Sequence, residues 1–172
     1  MEMHRLVDGT EILLRPIDPG DEPLIEELHE RHSEHTIRLR FFALVRHLSR
    51  GQLMRLCHLD PSREAGLAAL YHDAQGQLHM IGVARYYLHH ETGEAEFAVV
   101  VTDTWQNRGV GGHLMRQLAE FAQRAGAKRL VGDVLRENTA MLRLMLGLGY
   151  TIRPTDDPAV VQAVRELAPA AG

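Results

Sequence analysis

At 172 residues the chain has the length of one domain with a real core, and residues 1–172 are expected to form a single domain. Hydrophobic residues make up 45% of it and the formal net charge is −4, which argue against disorder and against a polycationic nucleic-acid binder. The single cysteine, Cys57, excludes an internal disulfide and fits a reducing compartment. No apolar run is long enough for a membrane span, and Met1 to Arg15 lacks the hydrophobic stretch of a signal peptide, so the expected location is cytoplasmic.

Glu11 to Ile17 predicts a first strand, ended by Pro16 and the Asp18-Pro19-Gly20 turn. Asp21 to Ser33 predicts an amphipathic helix with Leu24, Ile25 and Leu28 inward. Its histidines His29, His32 and His35 recur every three residues, which suits a surface helix. They belong to no His-Glu-x-x-His or Cys/His quartet, so no metal is expected. Thr36 to Phe42 is a compact segment of mixed character, and Ser49 to Cys57 a short helix offering Leu53, Met54 and Leu56 for packing. Gly66 to Tyr71 and Met80 to Leu88 read as paired strands joined by Asp73-Ala74-Gln75-Gly76.

The chain is organised around Glu96 to Glu120. Phe97-Ala98-Val99-Val100-Val101 is apolar at both parities, so this strand should be central and buried. A break at Asp103-Thr104-Trp105 leads through Gln106 to Gly112 into a helix on which Leu114, Leu118, Phe121 and Ala122 share one face. Strand, glycine turn and helix together aim free N–H groups and the positive end of a helix dipole at one point, an arrangement suited to phosphate. Glycine is wanted there because a Cβ would hold a pyrophosphate away from the main chain. Neither a Walker loop nor a dinucleotide fingerprint is present.

Arg129 to Val134 predicts another strand and Glu137 to Leu146 another helix, stopped by Gly147-Leu148-Gly149. Tyr150 to Ile152 is a short strand, and the spacing in Val160 to Leu167 fits a strand or a helix equally. The resulting fold class is α/β, a mixed sheet with helices on both faces.

Gln106, Gly109 and Gly111 match the pattern Gln/Arg-x-x-Gly-x-Gly/Ala, and here the chain resembles the GNAT family of acyl-CoA-dependent N-acyltransferases. Arg40-Phe41-Phe42, Ala95 to Val101 and Leu130 to Leu135 are similar to the bacterial protein-lysine acetyltransferase branch, which includes domains fused to ADP-forming acyl-CoA synthetases. The resemblance implies a mostly antiparallel sheet splayed at its central strands, with acetyl-CoA as cosubstrate in the gap. Val99 and Val101 would offer backbone contacts to the pantetheine arm. Gln106 would open the diphosphate loop, and Asn107, Arg108, Gly109, Val110, Gly111 and Gly112 would form it. Asn138 matches the family asparagine beside the pantetheine, and also reads as a helix-start residue.

Acyl transfer to an amine needs a neutral nitrogen. A lysine with a pKa near ~10.4 costs about 4 kcal/mol to neutralise at pH 7.4. A carboxylate in the cleft suits that task, and Glu96 begins the buried strand on the face of Ala98 and Val100. The resemblance also places the branch's general base there, so Glu96 is the expected catalytic residue; the alternative is a strand-end carboxylate paired with an arginine such as Arg85. Glu94 lies nearer the turn and should be solvated. Main-chain N–H groups of residues 99–101 would hold the oxyanion. Where many family members carry a proton-donating tyrosine this chain has Met145, while Tyr150 reads as a core aromatic, so no general acid is assigned. The expected reaction is transfer from acetyl-CoA to a primary amine, a protein lysine first, by direct attack in a ternary complex. A small-molecule amine acceptor and a non-catalytic CoA-binding module remain as alternatives. Neither nucleic acid nor membrane is an expected partner.

Overall fold

The structure is a computed structural model describing residues 2–30 and 50–169, apart from the side chains of Gln52 and Leu53. The expected segment Thr36 to Phe42 lies outside the described residues, as do His32 and His35.

One eight-stranded sheet forms the body, in the order β1-β2-β3-β4-β5-β6-β8-β7. Its strands are β1 (Glu2–Arg5), β2 (Glu11–Pro16), β3 (Glu64–His72), β4 (Leu78–His89), β5 (Glu94–Val101), β6 (Arg129–Leu135), β7 (Thr151–Pro154) and β8 (Val160–Glu166). Every neighbouring pair is antiparallel except β5 and β6. That parallel pair needs a crossover, which the long helix supplies. The helices are α1 (Glu22–Glu30), α2 (Arg50–Cys57), α3 (Val110–Arg124) and α4 (Thr139–Gly147).

Strand alternation divides the core into two layers. Leu67 and Ala69 of β3 face α3, packing with Ile81 and Val99 against Val110, Leu114 and Leu118. Ala68 and Leu70 point the other way, with Met80, Val83 and Val100, onto Ile25 and Leu28 of α1 and Cys57 of α2. The helices thus cover both faces, as the sequence predicts. Across the second layer His79 ties α1 to the β3–β4 hairpin: its Nδ1 lies 2.8 Å from Glu27 and its Nε2 2.8 Å from Asp73.

The structure departs from the sequence reading, or completes it, at five points. β1 is an added edge strand, short and mostly exposed, with no apolar pattern to announce it. The first helix begins at Glu22, after a 3-10 turn at Pro19–Asp21 capped by Asp18. His29 is buried in it, not on its solvent face. Met54, expected to pack, is exposed, while Leu56 and Cys57 turn inward. Val160–Glu166 is a strand; its pairing with β6 and β7 decides what spacing leaves open.

Candidate functional site: a cleft where the sheet parts

β5 and β6 pair only through Glu94↔Arg129, Ala95↔Leu130 and Glu96↔Val131. Beyond Glu96 the strands separate, and a cleft of about 200 Å³ opens between residues 97–101, residues 133–134, the loop before α3 and the start of α4. The wedge is Phe97. A Cβ on Gly132 would lie 2.6 Å from the Phe97 ring, so the absence of a side chain at residue 132 lets the ring occupy that space. Tyr150 closes on the ring edge-on, with centroids 5.6 Å apart. β5 is therefore central, with Val99 and Val100 buried, while Ala98 and Val101 are half-buried where they meet the cleft.

The loop that closes one end is conformationally unusual. Asn107 has φ 62° and Gly109 has φ 96°, both left-handed, and Gly109 is the N-cap of α3. Glycine suits the cap because other residues are strained at that φ. No side chain caps the helix and its first turn carries no acidic residue, so the amides of Val110, Gly111 and Gly112 keep their anion-binding capacity. Gly111 lets α4 approach: a Cβ there would lie 3.0 Å from Leu144.

Gln106, Asn107, Gly109, Gly111, Gly112, Val99, Val101 and Asn138 all line the cleft. Gln106 Nε2 donates to the Val101 carbonyl at 3.0 Å, so that oxygen already has a partner. Asn138 is the N-cap of α4, its Oδ1 accepting from the Met141 amide at 3.1 Å, and it lines the cleft as well. It is thus a helix-start residue that also lines the cleft. Val110 does not line the cleft; its side chain is in the core.

Arg108 also turns away from the cleft. Its Nη2 donates to Asp8 Oδ2 at 2.7 Å and to Thr10 Oγ1 at 3.2 Å, and its guanidinium lies over the Trp105 ring at 4.0 Å. The Thr10 amide and then Arg108 hold the Asp8 carboxyl down at about 2. A carboxyl depressed in the folded state supports the fold above its ordinary range and loses that contribution as pH falls through about 2. The tie thus persists through mildly acidic pH and anchors the loop to the β1–β2 turn. We expect Asp8→Asn to raise KM for acetyl-CoA about two- to fivefold, as for an exposed charge pair, with kcat changed less than twofold. Steady-state kinetics at varied donor concentration checks this; an unchanged KM would mean that the loop holds its shape without the tie.

A second cavity, about 240 Å³, adjoins the first on the Glu96 side. Glu64, Arg85, Tyr86, Tyr87 and Glu96 line it, with Phe97, Ala98 and Asp133 shared between the two. Glu96 does reach a cavity on the face of Ala98, but its side chain is 61% exposed, so the argument from burial fails. The carboxylate is open to solvent although its backbone is flanked by Tyr87 of β4 and Val131 of β6. Its ring neighbour is the His89 imidazole, with Nε2 at 3.7 Å, and not Arg85, which donates to the Leu56 carbonyl at 2.8 Å. Glu94 is half-buried and lies 3.6 Å from Arg129.

Met145 is fully buried, and Tyr150 is a core aromatic whose hydroxyl burial pushes up to about 12. Among the described residues no group of three or more His, Cys, Asp or Glu side chains could hold a metal, and no helix is long and apolar enough to cross a membrane.

A family model described as an acetyltransferase (GNAT) domain matches residues 11–151. The chain is 30% identical over 163 residues to the acetyltransferase PA5475 of Pseudomonas aeruginosa, covering 95% of this chain and 87% of that one. It is 31% identical over 162 residues to the acetyltransferase Pat of Mycolicibacterium smegmatis, covering 94% of this chain but spanning about half (47%) of that protein. The GNAT domain of S. lividans PAT superposes with a TM-score of 0.87 at 29% identity, with 96% of each chain covered. A sheet that parts beside a glycine loop, matched over most of its length by these relatives, places the chain in the GNAT family of acetyltransferases, as an acyltransferase enzyme.

Proposed function

We propose that this protein transfers the acetyl group of acetyl-CoA to the ε-amine of a protein lysine, by direct attack in a ternary complex. The observation that carries the reading is the adjacency of the two cavities: a cleft ending at uncapped helix amides shares Phe97, Ala98 and Asp133 with a carboxylate-lined cavity. The diphosphate lies against residues 106–112, where helix-end amides favour negative charge. The pantetheine arm follows β5, whose side towards β6 has no strand partner beyond Glu96. The thioester then meets the acceptor near Ala98, and Glu96 removes the amine proton.

An acceptor cavity with three carboxylates and one arginine favours a cationic acceptor. Its open mouth suits a side chain presented by a protein, and the resemblance to the protein-lysine acetyltransferase branch points the same way. The single domain and cytoplasmic location expected from the sequence fit such an acceptor.

The test is CoA release from acetyl-CoA with lysine peptides, folded proteins and small polyamines in parallel. Turnover with lysine-bearing proteins or peptides, with acetyl-lysine identified by mass spectrometry, supports the proposal. Turnover confined to small amines removes the lysine acceptor. Acetyl-CoA binding without turnover across the panel removes the enzymatic reading of this site.

A further inference from the structure

Asp133 lies on β6 two residues beyond the last β5–β6 pair, on the same face as Val131, the partner of Glu96. It lines both cavities, and it is the sole ionisable side chain among the described residues lining the acyl-CoA cleft. It has no hydrogen-bond or ion-pair partner among the described residues. The Tyr150 hydroxyl, which could have donated a proton, is withdrawn into the core, and Met145 on α4 has no proton to give.

We infer that Asp133 delivers the proton to the departing sulfur, and so completes with Glu96 a proton path across the junction of the two cavities. The inference rests on the acetyltransferase reading above. The amine N–H breaks and its proton passes to the Glu96 carboxylate. The nitrogen lone pair forms the C–N bond, and the C–S bond breaks with its electron pair left on sulfur. The Asp133 O–H proton then goes to that thiolate. Return of the proton from Glu96 to Asp133, directly or through water, restores both groups.

Transfer to sulfur is downhill, since a thiol near ~8.5 holds a proton more tightly than a carboxyl near ~3.9. Partial desolvation at the junction of the cavities first, and the Glu96 charge second, push the carboxyl of the otherwise exposed Asp133 up from its usual range, which enlarges its protonated fraction. The charged groups facing it are Glu64 on β3, Arg85 on β4 and Glu96 on β5; from β8 its partner is the neutral Gln162.

The experiment is the pH profile of kcat for the wild type, Asp133→Asn and Asp133→Glu, with the acceptor found for the wild type. Asp133 is exposed and Asn is nearly isosteric, so a thermal melt within ~2 °C of wild type is expected. Asp133→Asn should lower kcat about 100-fold. KM for acetyl-CoA should stay within about twofold, and the alkaline limb of the profile should disappear. Asp133→Glu should restore part of kcat and bring the limb back. A kcat within about threefold of wild type overturns the inference, and so does a lowered kcat with both limbs retained. A wild type that binds acetyl-CoA yet acetylates nothing sinks the underlying reading instead.

Discussion

Replacing Glu96 by glutamine is expected to lower kcat by about 10²–10⁴-fold, the range typical of a lost general base. The carboxylate lies where the second cavity meets β5, and its amide isostere keeps the shape while losing the basicity. Because the side chain is 61% exposed and 3.7 Å from the His89 imidazole, stability should change by no more than about 0.5 kcal/mol. Acetyl-CoA affinity, measured by calorimetry, should be unchanged, since Glu96 does not line the cleft itself. Raising the pH should partly rescue the variant, because a larger share of an amine acceptor is then neutral without help. A kcat within about threefold of wild type at neutral pH would remove Glu96 as base.

The second large effect is expected at Gly132. An alanine there places a Cβ 2.6 Å from the Phe97 ring, and that ring is confined between β6 and Tyr150. Overpacking of this kind costs about 1–3 kcal/mol. For a chain of this length that corresponds to a fall in Tm of about 2–12 °C. The ring is also what stands between the parted strands, so its displacement should weaken acetyl-CoA binding along with stability. Phe97→Leu in the same chain relieves the clash, and the double variant should recover part of the lost stability. A double-mutant cycle measures this as a coupling of about 0.5–3 kcal/mol. Strictly additive effects would mean that Gly132 and Phe97 do not hold the wedge together.

Much of this site is legible in the order and type of the residues. The run Phe97 to Val101 is apolar at both parities, and a strand with that pattern has neighbours on each side and helices above and below. Gly109 and Gly111 interrupt the chain where a helix begins, and the helix is marked by Leu114 and Leu118. Both signals are local: side-chain period and the steric freedom of glycine act within a few residues.

Other features are invisible there because they depend on residues far apart in sequence. Arg108 reads as part of a phosphate loop, yet its guanidinium is held 100 residues away by Asp8. Asp133 reads as one polar residue in an apolar strand, and gains its place only because β6 diverges from β5. Glu96 reads as a buried acid, since its neighbours in sequence are apolar, but its side chain is exposed in the fold. β1 carries no pattern because a short edge strand buries little.

The sequence by itself determined the order of the elements, the central strand and the glycine loop, because those follow from short-range periodicity and backbone freedom. Only the tertiary structure decided where the sheet parts, which carboxylates meet there and which cations are engaged elsewhere. Those outcomes depend on strand register and on a single ring resting over Gly132, and no local pattern encodes either.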